Sequence, residues 1–199
     1  MSLANDRQSR RHELRREMIL SAAAEEFAVQ GFVNATLERI GERIGLSKAS
    51  LYYYVNSKEE LLAVILEQVT SRIAEAVADV EGSAEQRLLA FVRAHVTIGA
   101  TSVEGQVLGE NVNVLLDRKA HERFAHARRQ HEQRLATLIQ EGIDAGEFRP
   151  LPVAPAVKLI FGGLNSIPVW YRPDGQLTLE ELADEVVGWM LGGLAGRPD

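Results

Sequence analysis

The sequence predicts an all-α protein with a small N-terminal head and a larger helical body, about nine helices in all. Apolar residues recur at helical spacing along almost the whole chain, and no stretch alternates apolar and polar residues as a half-buried strand does. Glycines and capping pairs interrupt this pattern at intervals of about one helix. Between residues 36 and 58 the segments become short and a glycine joins them, which is the pattern of a helix-turn-helix.

The first helix is predicted over about residues 10 to 30, and Gly31 ends it because glycine tolerates the left-handed conformation of a helix stop. The N-terminal segment is polar and contains no apolar run, so it does not fit a secretory signal. Its cations form a basic arm that fits DNA about as well as it fits a solvated tail. These cations are Arg7, Arg10, Arg11, Arg15 and Arg16.

The helix-turn-helix follows. Thr36 opens its first helix as an N-cap, Gly45 turns the chain, and Ser47 caps a second helix rich in small and aromatic hydrogen-bonding groups. Such groups suit phosphates and base edges. The first helix is expected to bury Leu37, Ile40 and Ile44. DNA contacts are expected from Thr36, Lys48, Ser50, Tyr52, Tyr53 and Tyr54.

A fourth helix is predicted from a capping box of Ser57 and Glu60 to about Val80. Lys58 lies in its first turn, where a cation opposes the helix dipole. Since stability alone favours an acidic residue there, we interpret Lys58 as a phosphate ligand. A head of about 45 residues is too small to bury a sufficient core alone, so we expect the head and the body to share this helix.

The stretch GFVNATLERIGERIGLSKASLYYYVNSKEELL resembles the N-terminal DNA-binding domain of TetR-type transcriptional regulators. The likeness covers about residues 12 to 70. It departs from the usual pattern at Gly41 and Ile44, where alanines are common, and at Ala49, where glycine is common. The matching positions are Phe27, Gly31, Phe32, Thr36, Ile40, Gly45, Leu46, Ser47, Leu51, Tyr52, Tyr54, Val55, Lys58, Leu61 and Leu62. The resemblance implies a DNA-binding domain over residues 1–57, with Ser47, Ala49 and the three tyrosines among its contacts.

The charge distribution agrees with a DNA-binding head. The chain carries a formal net charge of −6, but residues 1–58 sum to +2 and the remainder to −8. A mildly basic head on an acidic body is typical of a DNA reader whose second domain faces away from DNA. With no cysteine in the chain, disulfides, zinc-thiolate sites and cysteine nucleophiles are excluded.

The body, residues 58–199, is predicted to be helical throughout. Capping boxes of Ser83 with Gln86 and of Thr178 with Glu181 open two of its helices. The predicted helices after the fourth cover about residues 83–101, 104–115, 117–146, 154–171 and 178–194. Residues 151–170 and 186–196 are apolar, but prolines and a lysine interrupt the first segment and the second is too short to span a bilayer. We therefore expect buried interface helices and no membrane partner.

Polar residues set among apolar ones predict an effector pocket inside the body. The candidate lining residues are Phe91, His95, Asn111, Asn113, Phe124, Phe161, Asn165 and Trp170. Scattered core polar residues would give the same pattern. His121, His126 and His131 are spaced by five, which places successive side chains about 140° apart on a helix, so we interpret them as surface residues and not as metal ligands.

Glycines in the last two helices predict close approach of a second subunit, because each glycine costs about 1 kcal/mol inside a helix. The candidate dimer interface, a bundle of four helices, contains Gly162, Gly163, Trp189, Gly192 and Gly193. The segment from Trp170 to Leu194 also resembles, more weakly, the C-terminal end of TetR-type repressors that respond to acyl-CoA thioesters.

These patterns predict a cytoplasmic, homodimeric repressor that binds a palindromic operator and is released by an apolar or amphipathic effector, an acyl-CoA being one candidate. No nucleophile elbow, phosphate-binding glycine loop or carboxylate pair is present, so neither catalysis nor a cofactor is expected. Two alternatives remain. One is a DNA-binding protein without an effector, and the other is a helical enzyme or carrier with a structural head.

Overall fold

The computed structural model describes residues 3–107 and 118–194, and within these ranges it contains nine helices and no strand. The all-α prediction is therefore confirmed. In chain order the helices are α1 (Leu3–Asn34), α2 (Leu37–Arg43), α3 (Lys48–Tyr52), α4 (Lys58–Ala76), α5 (Ala84–Thr101), α6 (Val103–Gln106), α7 (Arg118–Asp144), α8 (Val153–Trp170) and α9 (Leu179–Leu194).

The head consists of α1, α2, α3 and the first half of α4. The predicted break at Gly31 is confirmed, since its φ of 72° and ψ of 153° lie outside the helical region. The helix begins at Leu3, well before the predicted start near residue 10. Leu37 and Ile40 of α2 are buried as predicted, whereas Ile44 is only partly buried because it lies at the C-cap of that helix.

The body is organised around α5, which packs against α4, α7, α8 and α9. Its apolar core includes Phe91, Leu135 and Leu164, all almost fully buried. At the start of the predicted helix over 104–115 the structure has the short α6, and the part of the prediction that falls on residues 108–117 lies outside the described ranges. Gly146 follows α7 with a φ of 76°, as expected for the residue that stops this helix.

Helix α4 belongs to both cores, as predicted. Leu61 to Leu66 lie in the head core, and Val69 and Ile73 lie in the body core. Any displacement of α4 in the body therefore also displaces apolar side chains of the head.

The predicted capping boxes have two outcomes. The reciprocal hydrogen bonds are present for Ser83 with Gln86 and for Thr178 with Glu181. At the start of α4 only half of the box forms. Ser57 Oγ accepts a hydrogen bond from the Glu60 N–H at 3.1 Å, but the Glu60 carboxylate accepts from Asn56, whose side-chain nitrogen lies 2.6 Å away.

Helix α8 is long and apolar enough to cross a membrane by length and composition alone. Packing inside the protein explains part of that composition, because five side chains of α8 are buried against the rest of the body. These are Val157, Ile160, Phe161, Leu164 and Ile167. The apolar character of α8 is thus partly that of a core helix, and a single helix of this kind is weak support for a membrane span.

Candidate functional site

Two side-chain caps build the helix-turn-helix. Thr36 Oγ1 accepts a hydrogen bond from the Arg39 N–H at 3.3 Å, and Ser47 Oγ accepts one from the Ser50 N–H at 3.2 Å. Both predicted N-caps are therefore confirmed. Gly45 between the helices has a φ of 66°, a left-handed conformation that disfavours residues with a Cβ.

The departure from the resembling family at position 41 has a steric reason. A Cβ at Gly41 would lie 2.8 Å from the carbonyl oxygen of Leu46, closer than real Cβ contacts come. The same segment is tied back to α2, since the Leu46 N–H donates to the Gly41 carbonyl at 2.9 Å. Glycine thus lets the turn pack directly on the helix backbone.

The second helix of the motif, α3, presents one face to solvent. Leu51 is fully buried, whereas Tyr52 and Tyr53 are exposed, Tyr53 by 75%. Tyr54 follows the helix end and packs against the head core. The three tyrosines therefore point in different directions, and Tyr54 offers the smallest surface to DNA. The predicted contacts Ser47, Lys48, Ala49 and Ser50 are all exposed beside Tyr52.

Lys48 is held in an ion pair with Glu38 of α2. The hydrogen bond to Glu38 raises the pKa of Lys48, and the same bond lowers the pKa of Glu38. The Lys48 ammonium also lies 6.0 Å from the centroid of the Tyr52 ring. Because both side chains are exposed, a DNA phosphate can compete with Glu38 for the lysine at little cost.

A buried carboxylate fastens α2 to α1. Glu26 of α1 is only 1% exposed, and the Nε atoms of Arg39 and Arg43 each lie 3.0 Å from one of its oxygens. Removing one arginine would leave the buried carboxylate with a single cationic partner, an unfavourable state. The pairing fixes the orientation of the helix-turn-helix on the head.

The structure gives Lys58 a role that the sequence did not reveal. Its ammonium donates hydrogen bonds to the backbone carbonyls of Phe32, Val33 and Ala35 at 2.9, 3.1 and 3.1 Å. It also lies 4.6 Å from the centroid of the Phe32 ring. These contacts give a second explanation for a lysine at this helix start, beside the predicted phosphate contact. A DNA contact by Lys58 remains a prediction, and it would compete with these three carbonyls.

In the body, four of the predicted lining residues lie together between α5 and α8. His95 is 2% exposed, and its Nε2 lies 3.0 Å from Asn165 Oδ1. The rings of Phe91 and Phe161 lie within 6.3 Å of the His95 ring, measured between centroids. The predicted combination of aromatic and polar groups is thus present, but packed as core.

A fifth member of this cluster corrects a prediction. His131 of α7 is only 4% exposed and stacks on His95, with 5.6 Å between ring centroids. It was expected on the surface because spacing within one helix gave it no partner. Its partner instead comes from another helix, with His131 Nε2 lying 3.4 Å from His95 Nδ1.

Burial keeps both imidazoles neutral. It lowers the pKa of His95 from 6.5 to about 4, although the hydrogen bond to Asn165 opposes the shift. Burial also lowers the pKa of His131 to about 3, helped by the nearby His95 and Arg134. Asn165 Oδ1 can only accept, so the neutral His95 donates from Nε2 and accepts at Nδ1 from His131. His131 Nδ1 is then a buried acceptor, and it has no hydrogen-bond partner within the described residues.

A groove lies on the other side of Phe91. This α4–α7 groove has a volume of about 890 Å³ and is lined by the end of α4, by α5 and by α7. Its walls combine apolar side chains such as Val77 and Leu138 with the cations Arg87, Arg129 and Arg134. Arg87 is paired with Glu141 at 2.6 Å, whereas Arg129 and Arg134 have no ion pair with any described side chain.

Two of the remaining predicted lining residues, Phe124 and Trp170, lie elsewhere. Phe124 belongs to the head-side core, which also contains Val107, whereas Phe91 belongs to the body core, so the structure does not bring these two predicted lining residues together. Trp170 is half exposed at the end of α8 and lines a different groove. Asn111 and Asn113 lie outside the described residues.

Helices α8 and α9 share an exposed apolar face, the α8–α9 face, which includes Leu159, Trp170 and Trp189, exposed by 78%, 52% and 71%. A groove of about 520 Å³ runs along it. A Cβ added to the predicted interface glycines would meet no other atom of the described chain within 4 Å. This holds for Gly162, Gly163, Gly192 and Gly193. Nothing in the described part of the chain therefore requires glycine at these positions.

No group of three or more histidine, aspartate or glutamate side chains in the described residues is placed to hold a metal ion.

Two family models match the chain. One, described as bacterial regulatory proteins of the tetR family, matches residues 19–65. The other, described as a tetracyclin repressor-like C-terminal domain, matches residues 81–194. The first match lies in the head and the second in the body, and residues 66–80, which include the second half of α4, lie between them.

Several transcriptional regulators are similar to this chain over most of its length. YdeS of Bacillus subtilis, an uncharacterized HTH-type transcriptional regulator, is 31% identical over 169 residues, which are 81% of this chain and 79% of that protein. KstR2 of Mycolicibacterium smegmatis, an HTH-type transcriptional repressor, is 24% identical over 186 residues, 90% of each chain. A crystal structure of AibR with isovaleryl coenzyme A and operator DNA is similar in fold, with a TM-score of 0.79, 24% identity and coverage of 88% of this chain and 97% of that one.

Proposed function

Because the chain belongs to the TetR family of bacterial regulatory proteins, we propose that it is a repressor that binds a palindromic operator as a homodimer. We further propose that an amphipathic anion releases it from the operator. The family is one of helix-turn-helix transcriptional regulators, so the chain is not an enzyme and the enzyme or carrier alternative is discarded. The observation that carries the proposal is that α4 supports the DNA-binding motif at one end and borders the α4–α7 groove at the other.

The operator-binding surface would be the exposed face of α3 together with Thr36 at the start of α2. Tyr52 and Tyr53 offer hydroxyl groups there, and Lys48 offers a cation that a phosphate can recruit from Glu38. Hydroxyl and ammonium groups make both phosphate and base-edge contacts in major grooves. The regulator would act in the cytoplasm, where its operator lies.

Homodimer formation would use the α8–α9 face. An exposed apolar face of this kind marks an interaction site, and its unfilled glycines allow a second backbone to approach closely. A two-fold dimer would hold two α3 helices for half-sites about 34–36 Å apart.

The dimer is tested by changing this face without changing the core. Trp189→Glu and Leu159→Glu should shift the sedimentation coefficient to that of a monomer, because each places a charge in the apolar contact. Val29→Glu is the control, since Val29 is 67% exposed but lies on α1 in the head. Unchanged sedimentation of both face variants would place the interface elsewhere.

The effector would bind in the α4–α7 groove. Arg129 and Arg134 are cations without a partner among the described side chains, and apolar residues of α4 and α7 lie beside them. This combination favours a ligand with an apolar part and an anionic part. An acyl-CoA has both, and AibR, which is similar in fold, was crystallised with one. A ligand here would contact Val77, next to the end of α4, and bias the tilt of α4.

The first experiment is binding to the DNA upstream of the protein's own gene, titrated with salt and with medium- and long-chain acyl-CoA. Specific binding released by an acyl-CoA is expected. The Arg129→Ala/Arg134→Ala double variant should bind the effector at least about tenfold more weakly, as expected for two lost charge-assisted contacts. Arg118→Ala, at the opposite end of α7, is the control and should bind the effector as tightly as the wild type.

Each negative outcome has its own meaning. Specific DNA binding that no acyl-CoA relieves would discard this effector class. A double variant that binds acyl-CoA like the wild type would instead place the effector outside the groove. If no small molecule relieves binding, the alternative of an effector-independent DNA-binding protein is favoured.

A further inference from the structure

The basic arm divides over two faces of α1. Arg11 and Arg15, one helical turn apart, line a groove of about 430 Å³ between α1 and the end of α3, here called the α1–α3 groove. Arg16 points to a different groove, between α1 and α4, which also contains Glu13 and Glu17. Neighbouring arginines of the same arm therefore lie in opposite electrostatic surroundings.

The α1–α3 groove is continuous with the predicted DNA-binding surface. The His12 ring of α1 lies 5.0 Å from the Tyr54 ring and 6.1 Å from the Tyr53 ring, measured between centroids. Tyr53 in turn is the most exposed tyrosine of the recognition segment, at 75%. Whatever surface Tyr53 approaches, the α1–α3 groove must approach as well.

Within the described part of the chain, no carboxylate neutralises the charges of this groove. Its lining consists of Arg11, His12, Leu14, Arg15, Met18, Tyr53 and Tyr54, with no carboxylate. Neither arginine forms an ion pair with a described side chain. By contrast, Lys48 and Arg43 on the other side of the motif are each paired with a glutamate. The α1–α3 groove is thus a place in the head where two neighbouring cations remain available to an outside anion.

We propose that Arg11 and Arg15 bind phosphates of the operator that flank the base pairs contacted by α3. The N-terminal half of α1 then forms a second DNA-binding element. This inference rests on the proposed operator binding and adds an element that the helix-turn-helix does not contain. Phosphate contacts fix the register of a protein on DNA and strengthen binding without reading sequence. The neighbouring Arg16 makes no such contact.

The test compares adjacent residues that carry the same charge. The slope of log K against log salt concentration reports the number of phosphates neutralised. Its magnitude falls by about 0.9 for each phosphate contact removed. Arg15→Ala should lower the slope by about 0.9, and the Arg11→Ala/Arg15→Ala variant by about 1.8. Arg16→Ala, with the same change in net charge, should leave it unchanged. Circular dichroism of each variant verifies that α1 remains folded.

A second experiment varies the length of the operator duplex. On a long operator duplex the wild type should bind more tightly than the Arg11→Ala/Arg15→Ala variant by about tenfold at low salt, as expected for two lost phosphate contacts. On a duplex trimmed to the two half-sites the difference should vanish, because the flanking phosphates are gone.

Several results would overturn the proposal. Equal slopes for Arg15→Ala and Arg16→Ala would mean that only net charge matters, and a loss that varied with base sequence would mean base contacts. If the wild type showed no specific binding at all, the proposed repressor function would fail. The slope comparison on non-specific DNA would still decide whether this pair contacts phosphates.

Discussion

The two halves of α4 are held in different ways. In the first half, all six residues from Leu61 to Leu66 are buried, so the helix is enclosed by apolar side chains of the head. In the second half, Val69 and Ile73 are buried, but Gln68, Ser71 and Arg72 are exposed. There α4 is also held through ion pairs, Glu67 with Arg123 at 2.7 Å and Arg72 with Glu104 at 3.7 Å.

This difference determines which contacts can adjust. A helix enclosed by well-packed apolar side chains has one arrangement of low energy, because shifting it opens cavities. Ion pairs at a surface tolerate small displacements, since their net free energy is small. The head should therefore move with α4 as one unit, while the body can slide against it. A ligand-dependent tilt needs this asymmetry.

The largest expected effect on stability concerns the first half of α4, which is enclosed by apolar side chains. Leu62→Ala should lower the free energy of unfolding by about 2–5 kcal/mol, because a fully buried leucine leaves a cavity. Glu75→Ala, at an exposed position of the other half, should change it by less than about 0.5 kcal/mol. Chemical denaturation measures both. Similar losses for the two variants would contradict the comparison.

The next effect concerns the junction between α4 and α1. Lys58→Met should lower the free energy of unfolding by about 1–3 kcal/mol, because three backbone carbonyls lose a charged donor. It should also weaken DNA binding through displacement of the helix-turn-helix. If Lys58 acts only on phosphate, the salt slope will fall while the unfolding free energy stays at the wild-type value.

The two buried histidines of the body predict that the stability of the fold depends on pH. The depressed pKa values of His95 and His131 mean that the unfolded chain binds more protons than the folded one below pH 6.5. Stability should be fully present above about pH 6.5 and be lost as pH falls towards 4. For His95 alone the loss at pH 5 is about 2 kcal/mol.

Denaturation at several pH values checks this expectation. His131→Phe should flatten the profile, and His126→Gln, at an exposed position of the same helix, should not. A wild-type stability that stays constant between pH 7 and pH 5 would rule out a neutral buried pair.

The smallest expected effect on stability concerns the second half of α4, which is held partly by ion pairs. Glu67→Gln and Arg123→Gln should each change stability by about 1 kcal/mol or less, since this pair is partly exposed. They should nevertheless alter the ratio of operator affinities with and without effector. Titration of operator binding in both states measures this ratio. A double variant that keeps the wild-type ratio would show that the pair takes no part in coupling.

The sequence predicted most of what depends on neighbours along the chain. The stop at Gly31, the turn at Gly45 and the caps at Thr36 and Ser47 are local, because each requires only a backbone conformation or a hydrogen bond three residues away. The sharing of α4 between two cores could also be predicted, from the small size of the head.

The features that the sequence did not reveal depend on contacts between distant segments. The carbonyls that bind Lys58 lie at least 23 residues away, at the end of α1. His131 meets His95 across 36 residues, so its spacing to other histidines of α7 carried no information. Phe124 and Phe91 show the same helical pattern but face different cores. Periodicity gives the buried face of a helix and leaves open which neighbour covers it.

The contact between position 41 and Leu46 has a consequence for engineering. Alanine, common there in the resembling family, would bring its Cβ within 2.8 Å of the Leu46 carbonyl unless the turn moved. A single exchange towards the family pattern is therefore a structural perturbation in this background, even though it is conservative on paper. To transplant a new operator specificity, α2, the turn and α3 should be exchanged as one cassette.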